Sequence, residues 1–405
     1  MSILPSSITR ISTLTAGDYP NLVFVEIETA DGLVGLGETY FGAGAVTSYI
    51  HETAAPYLLG LDARDIPRHW ETLFAYWGRG GIGAEARGAS AIDIALWDLA
   101  GKRHGQPLWE SLGGAARRDI AAYNTCGGPD YGRALAVPGD RLFGQPQPGR
   151  RFEDLHGFRH EPEALAGSLL EMGFQAMKIW PFDELAVETG GTWIRPRDIE
   201  RGLEPFRRIR AAHGDRIEIA LELHGRWNLP AAMAIARAVE PYHPMWIEDP
   251  IPMDNIDALA QFVRSTSIPT VASENLGSPF PYRDLLEKAG VGIIMTDPSW
   301  VGGVTAARKV ADLAALHLRP FMPHDCTGPV TLSVGVHLCL HAENALLQEM
   351  VRAYFFGWYN EMVDGLPIFE AGRLRPPDRP GHGAVLRDGF RSSEGVTIQT
   401  SPPTA

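Results

Sequence analysis

The chain has 405 residues, 45% of them hydrophobic and 21% charged, with a net charge of −13; it is longer than one typical domain and can fill a full-sized core without staples. The acidic balance argues against a nucleic-acid partner, which wants a basic face, and no apolar run approaches the roughly 18–20 residues of a membrane span. Cys126, Cys326 and Cys339 form no CxxC pair and no disulfide framework, and Met1-Ser2-Ile3-Leu4-Pro5 carries no export signal, so a reducing cytoplasm is expected.

Residues 8–40 read as strands. Leu22 to Thr29 is rich in β-branched and aromatic residues, Asp31-Gly32 is a hairpin turn signal, and Leu33 to Glu38 returns. From Ala89 to His104 the apolar positions Ala91, Ile92, Ala95, Leu96, Leu99 and Ala100 recur at helical spacing, and Gly113-Gly114 closes the region. An α+β capping domain over 1–116 is expected, completed by the Pro- and Gly-rich residues 365–405 returning to pack on it.

Over 117–364 the pattern alternates. Strand-like segments fall near 120–125, 175–180, 217–222, 245–248, 270–274, 291–296, 318–323 and 345–349, with helical segments between them, such as Leu229 to Val239 and Val304 to Leu316. Eight such strands suit an α/β architecture closed as a (β/α) barrel of the TIM type better than an open sheet. Residues 133–158 and 183–197 read as long loops at strand ends, the usual place for a cover over an active site.

Glu222, Glu248 and Glu274 each close a short apolar run, and each follows the last by 26 residues. One strand–helix unit of such a barrel uses roughly 25–30 residues, so the spacing sets three carboxylates side by side on one rim. A lone glutamate at a strand end is ordinarily a surface charge; three at equal spacing suit a hard divalent cation, which takes oxygen ligands. The remaining strand ends also carry ionisable groups: Lys178, Asp297, His324 and Glu349.

This order resembles the enolase superfamily, in its mandelate-racemase-like branch, over nearly the whole chain. The segment Ala89 to Lys102 resembles the family's signature helix. The resemblance implies that Glu222, Glu248 and Glu274 hold Mg²⁺, that Asp297 and His324 form an Asp–His dyad, and that Lys178 is the first lysine of a Lys-x-Lys motif. Trp180 stands where the second lysine would be, which removes a base from one face of the substrate. Glu222-x-His224 instead resembles the ligand-x-His pattern of the acid-sugar dehydratases, with glutamate in the usual place of aspartate.

The chemistry implied is removal of a proton beside a carboxylate, with the cation as Lewis acid. His324, oriented by Asp297, is the base. Lys178 and a protonated Glu349 assist at the carboxylate oxygens, and His224 protonates the departing β-hydroxyl. The reverse assignment of the two histidines stays open. Asp325 and Arg226 flank the site. The expected partner is a small-molecule acid sugar, with no nucleic acid and no membrane, and the resemblance implies a homo-oligomer. An epimerase or cycloisomerase, or a non-catalytic binder of metal and sugar acid, are the competing readings.

Overall fold

In the computed structural model, residues 4–75, 81–133 and 146–401 are described. Residues 134–145 of the loop expected over 133–158, the last residues of the 365–405 segment and the start of the N-terminal stretch lie outside them, and the described end of that loop enters the helix Asp154–His160. Three strands open the chain: β1 (Ile8–Ala16), β2 (Tyr19–Thr29) and β3 (Val34–Tyr40). They pair antiparallel in that order, and the segment Val396–Ser401 adds to the outer edge of β1, with Ile11 opposite Ser401. The helix Ala84–His104 packs on β3 so closely that a Cβ on Gly37 would lie 1.9 Å from the Ala91 carbonyl oxygen. Glycine is therefore required in the middle of this strand.

The barrel strands follow as β4 (Ile120–Thr125), β5 (Ala176–Ile179), β6 (Glu218–Glu222), β7 (Ile247–Glu248), β8 (Thr270–Ala272), β9 (Ile293–Thr296), β10 (Phe321–Pro323) and β11 (Gln348–Met350). Neighbours are parallel from β4 through β10, and β11 returns to pair with β4. The ring closes through a bridge between Phe321 and Ala345 and a bond from Leu346 N to Phe321 O of 2.9 Å. This is a closed, eight-stranded TIM-type barrel with an α+β cap. Tyr123, Ala176, Ala220, Trp246, Val271, Met295 and Met322 fill its interior.

That interior positions the rim. Side chains two residues apart on a strand share a face, so the residue two beyond each of these also points along the barrel axis. The positions two beyond Tyr123, Ala176, Ala220, Trp246, Met295 and Met322 are Thr125, Lys178, Glu222, Glu248, Asp297 and His324. Glu274 breaks the rule by one, because Ser273 takes that place on β8.

The segment 183–197 differs from its sequence reading. Asp183–Thr189 is a helix, and Pro196 begins the long helix Pro196–His213. Strand β10 begins at Phe321 rather than near 318, because Leu318 sits in a turn with φ 55 and is 89% exposed.

Two buried carboxyl groups of the cap hold barrel helices by their N-termini. Asp93 accepts from Thr305 N at 2.9 Å and Thr305 Oγ1 at 2.6 Å, where the helix Gly303–Leu316 begins. Glu38 accepts from Val330 N at 3.0 Å and Thr331 N at 2.9 Å, at the start of Pro329–His341. Gly303, with φ 74, leaves room for Asp93: a Cβ there would lie 2.3 Å from its Oδ1.

Burial pushes the Asp93 carboxyl up from its ordinary 3.8 to about 7, against the hydrogen bonds from Thr305. The native state then holds this proton more tightly than the unfolded chain. The stability it contributes is full below the ordinary pKa and is lost as pH rises through about 7. The urea midpoint should therefore fall between about pH 5 and about pH 8, and fall less in Asp93→Asn. Equal pH slopes in the two proteins would contradict this.

Candidate active site

The C-terminal rim of the barrel opens into a cavity of about 140 Å³. Lys178, Glu222, His224, Glu274 and His324 line it, together with Tyr131, Trp180, Arg226, Asn275, Trp300 and Cys326. Every candidate residue from the sequence reading is at this rim, and Lys178, Glu222, Glu248, Glu274, Asp297, His324 and Glu349 are buried.

Lys178 is the hub. Its Nζ lies 2.5 Å from Glu248 Oε1, 2.8 Å from Glu349 Oε1 and 3.3 Å from Glu222 Oε2. Burial works against its charge, but Glu248, Glu349 and Glu222 outweigh burial and hold the ammonium well above its ordinary range. Glu248 also accepts from Trp246 Nε1 at 3.0 Å, so the tryptophan that fills the barrel orients it. Burial, then Glu222, pushes Glu248 well up. Burial, then Glu274, does the same to Asp249. Burial raises Glu274 as well.

Glu222, Glu248, Asp249 and Glu274 thus crowd together with one buried lysine beside them. Glu274 Oε2 and Asp249 Oδ1 have no hydrogen-bond partner among the described residues. Orphaned buried carboxylate oxygens are costly, and an all-oxygen donor set fits a hard divalent cation such as Mg²⁺.

Glu349 sits among three donors. It accepts from Asp325 N at 3.1 Å and from the Thr125 hydroxyl, and it pairs with Lys178. Burial opposes its ionisation, but Lys178 and His324 outweigh burial and hold its carboxyl below the ordinary value. The Glu349 carboxyl thus sits against Lys178 and orients it.

His324 Nδ1 lies 2.8 Å from Asp297 Oδ2. Asp297 is fixed in turn by Ser299 N at 2.7 Å and Ser299 Oγ at 2.6 Å. Burial lowers the His324 pKa, but Glu349 and the bond to Asp297 overcome it and raise the imidazole well above its ordinary value. His324 Nε2 stands 3.9 Å from Glu349 Oε2. On the other side, His224 follows β6 with φ 49, its backbone N donating to Glu222 Oε1 at 2.6 Å. Its Nδ1 lies 2.8 Å from Asp183 Oδ2.

Of the two flanking residues, Arg226 faces the cavity and pairs with Asp183 at 3.0 Å. Asp325 is buried and accepts from Tyr359 OH at 2.9 Å. The sequence reading passed over Thr125, Tyr131, Asp183 and Cys326. Thr125 was open to discovery by strand alternation; the other three lie beyond strand ends and gave no periodic signal.

A capped β/α barrel with acids and bases on successive strand ends defines an enzyme of the enolase type. The chain belongs to the mandelate racemase/muconate lactonizing enzyme family of the enolase superfamily. Residues 5–113 match the mandelate racemase/muconate lactonizing enzyme N-terminal domain, and residues 162–389 match the enolase C-terminal domain-like family. A D-galactonate dehydratase of Ralstonia nicotianae is 31% identical over 390 residues, covering 94% of this chain and 92% of that protein. A crystal structure of an enolase of the mandelate racemase subgroup from Agrobacterium tumefaciens is 41% identical, covers 98% of this chain and 99% of its own, and has a TM-score of 0.87. A mandelate racemase/muconate lactonizing enzyme-like protein from Rubrobacter xylanophilus is 32% identical over 96% of this chain and 97% of its own, with a TM-score of 0.81.

A cation held by the native cluster stabilises the fold by mass action, adding about 2.7 kcal/mol at a hundred times its Kd. Adding Mg²⁺ to chelator-treated protein should raise Tm by several degrees, and Glu248→Gln should shrink that rise. An unchanged wild-type Tm at saturating Mg²⁺ would count against the carboxylate cluster as the metal site.

Proposed function

We propose that this chain catalyses the Mg²⁺-dependent dehydration of an acid sugar, an aldonate or related hydroxy acid, to a 2-keto-3-deoxy acid. The observation that carries this reading is the pair of histidines on opposite sides of the carboxylate cluster. His224 follows β6 and His324 follows β10. They stand four strand positions apart, half the circuit of an eight-stranded ring.

Glu222, Glu248 and Glu274 would hold the cation, which supplies Lewis-acid stabilisation to a carboxylate whose α-carbon loses its proton. Lys178 adds a fixed positive charge beside the same oxygens. The neutral form of His324 takes the proton from C2 at Nε2, because Nδ1 is committed to Asp297. His224 Nε2 gives a proton to the C3 hydroxyl, the C3–O bond breaks and water leaves. The resulting enol takes a proton at C3 and becomes the keto acid. The similarity to a D-galactonate dehydratase supports this reaction class. No helix among the described residues is long and apolar enough to cross a membrane, and the same reading carries a cytoplasmic homo-oligomer acting on a small molecule.

The two histidines should separate experimentally. General acid–base groups contribute ~10²–10⁴-fold each. His324→Asn should abolish exchange of the C2 proton with D₂O. His224→Asn should abolish keto-acid release and retain exchange. The opposite pattern reverses the two roles, and normal dehydration by both variants would end the proposal.

Trp180 is buried, with its ring 5.1 Å from Tyr131 and 5.8 Å from His224. It cannot accept a proton, so substrate recovered from D₂O should carry deuterium at C2 without inversion. Efficient interconversion of the two C2 epimers would instead favour the epimerase reading.

A further inference from the structure

The proposed reaction uses His324 with Asp297 as one oriented pair. The structure contains a second pair built the same way. His224 Nδ1 lies 2.8 Å from Asp183 Oδ2, and the Asp183 side chain is only 3% exposed. Asp183 opens the helix that follows β5, and His224 follows β6. Asp297 follows β9, and His324 follows β10. In each pair the aspartate comes from the end of the strand before the histidine's own. The two pairs stand half a circuit apart on the ring.

Both aspartates bind Nδ1, which turns the other ring nitrogen toward the cavity. For His224 this is visible directly: Nε2 stands 3.5 Å from the Tyr131 hydroxyl, and both residues line the cavity. Asp183 is itself held in place. Arg226 Nε lies 3.0 Å from the same Oδ2. The loop behind it is tight, since a Cβ on Gly191 would lie 1.8 Å from the Arg226 carbonyl oxygen.

A carboxylate accepts hydrogen bonds and donates none. Beside Nδ1 it selects, in the neutral ring, the tautomer that carries its proton there; in the imidazolium that acts as acid it accepts from the Nδ1 proton and leaves the Nε2 proton for the reacting group. A buried aspartate beside a cavity-lining histidine therefore does more than fill space. We propose that Asp183 is a positioning residue, which fixes the tautomer and direction of the His224 ring so that Nε2 faces the substrate. The part this assigns to His224 in turnover rests on the dehydratase reading; the tautomer does not. A purely structural Asp183 would anchor Arg226 and start its helix, and its loss would alter stability but not the tautomer.

The test uses the full chain with ¹⁵N-labelled histidine and Mg²⁺ present, at a pH where the ring is neutral. The His224 signals are assigned by their loss in His224→Asn. The wild type should show Nδ1 protonated, and Asp183→Asn, which can accept or donate, should show a mixture of tautomers. With substrate, Asp183→Asn should lose ~10²–10⁴-fold in kcat, hold KM within about threefold and keep C2 exchange, because the His324 pair is intact. Asp183→Glu should recover part of kcat. If Asp183→Asn does not fold, the wild-type tautomer and Asp183→Glu decide. A wild-type His224 protonated at Nε2 alone, or an Asp183→Asn kcat within about threefold of wild type, would overturn the inference. If the wild type dehydrates no acid sugar, the dehydratase reading fails, and the tautomer still decides the role of Asp183.

Discussion

Buried negative charge with too few partners governs this structure. Glu222, Glu248, Asp249 and Glu274 meet at the top of the barrel, and Lys178 is the cation built among them. Two of their oxygens have no hydrogen-bond partner among the described residues. Uncompensated ions in a dry site cost several kcal/mol each. Such an oxygen-rich cluster fits a hard divalent cation, and the surrounding groups are arranged around it. Glu349 holds Lys178, Trp246 holds Glu248, and Asp297 holds His324.

The cap takes part in the same arrangement. Asp93 and Glu38 reach across to the helices that begin just after the Asp297 and His324 loops. The Thr39 hydroxyl donates to Ser299 O at 2.8 Å, and Trp70 Nε1 donates to Gly302 O at 2.8 Å, within the first of these loops. The dyad is therefore clamped from outside the barrel as well as from below. The segment read from sequence as a signature helix does physical work here: Ser90 accepts from Gly302 N at 2.9 Å, and Asp93 is the helix cap.

Strand order and rim were legible in the sequence because a barrel repeats one geometric unit. The 26-residue interval reports that unit and picked out Glu222, Glu248 and Glu274, while Lys178 was read as a strand end and took its role from the family resemblance. What was not legible depends on contacts between distant residues. Asp183 pairs with a residue 41 positions on, from a helix that read as loop. Glu38 reaches a partner 292 positions away. Only the fold reveals that Lys178 sits against Glu349. Leu318 shows the converse, an apolar residue that reads as strand but occupies an exposed turn.

If the carboxylate cluster, once loaded with Mg²⁺, serves the two histidines in acting on an acid sugar, turnover depends on the metal. The most direct measurement is release of 2-keto-3-deoxy acid from a panel of acid sugars by the full chain, with Mg²⁺ and after chelation. Keto acid should form from at least one aldonate or related hydroxy acid, be lost on chelation and be restored by Mg²⁺. Turnover that persists undiminished in metal-free protein would contradict this.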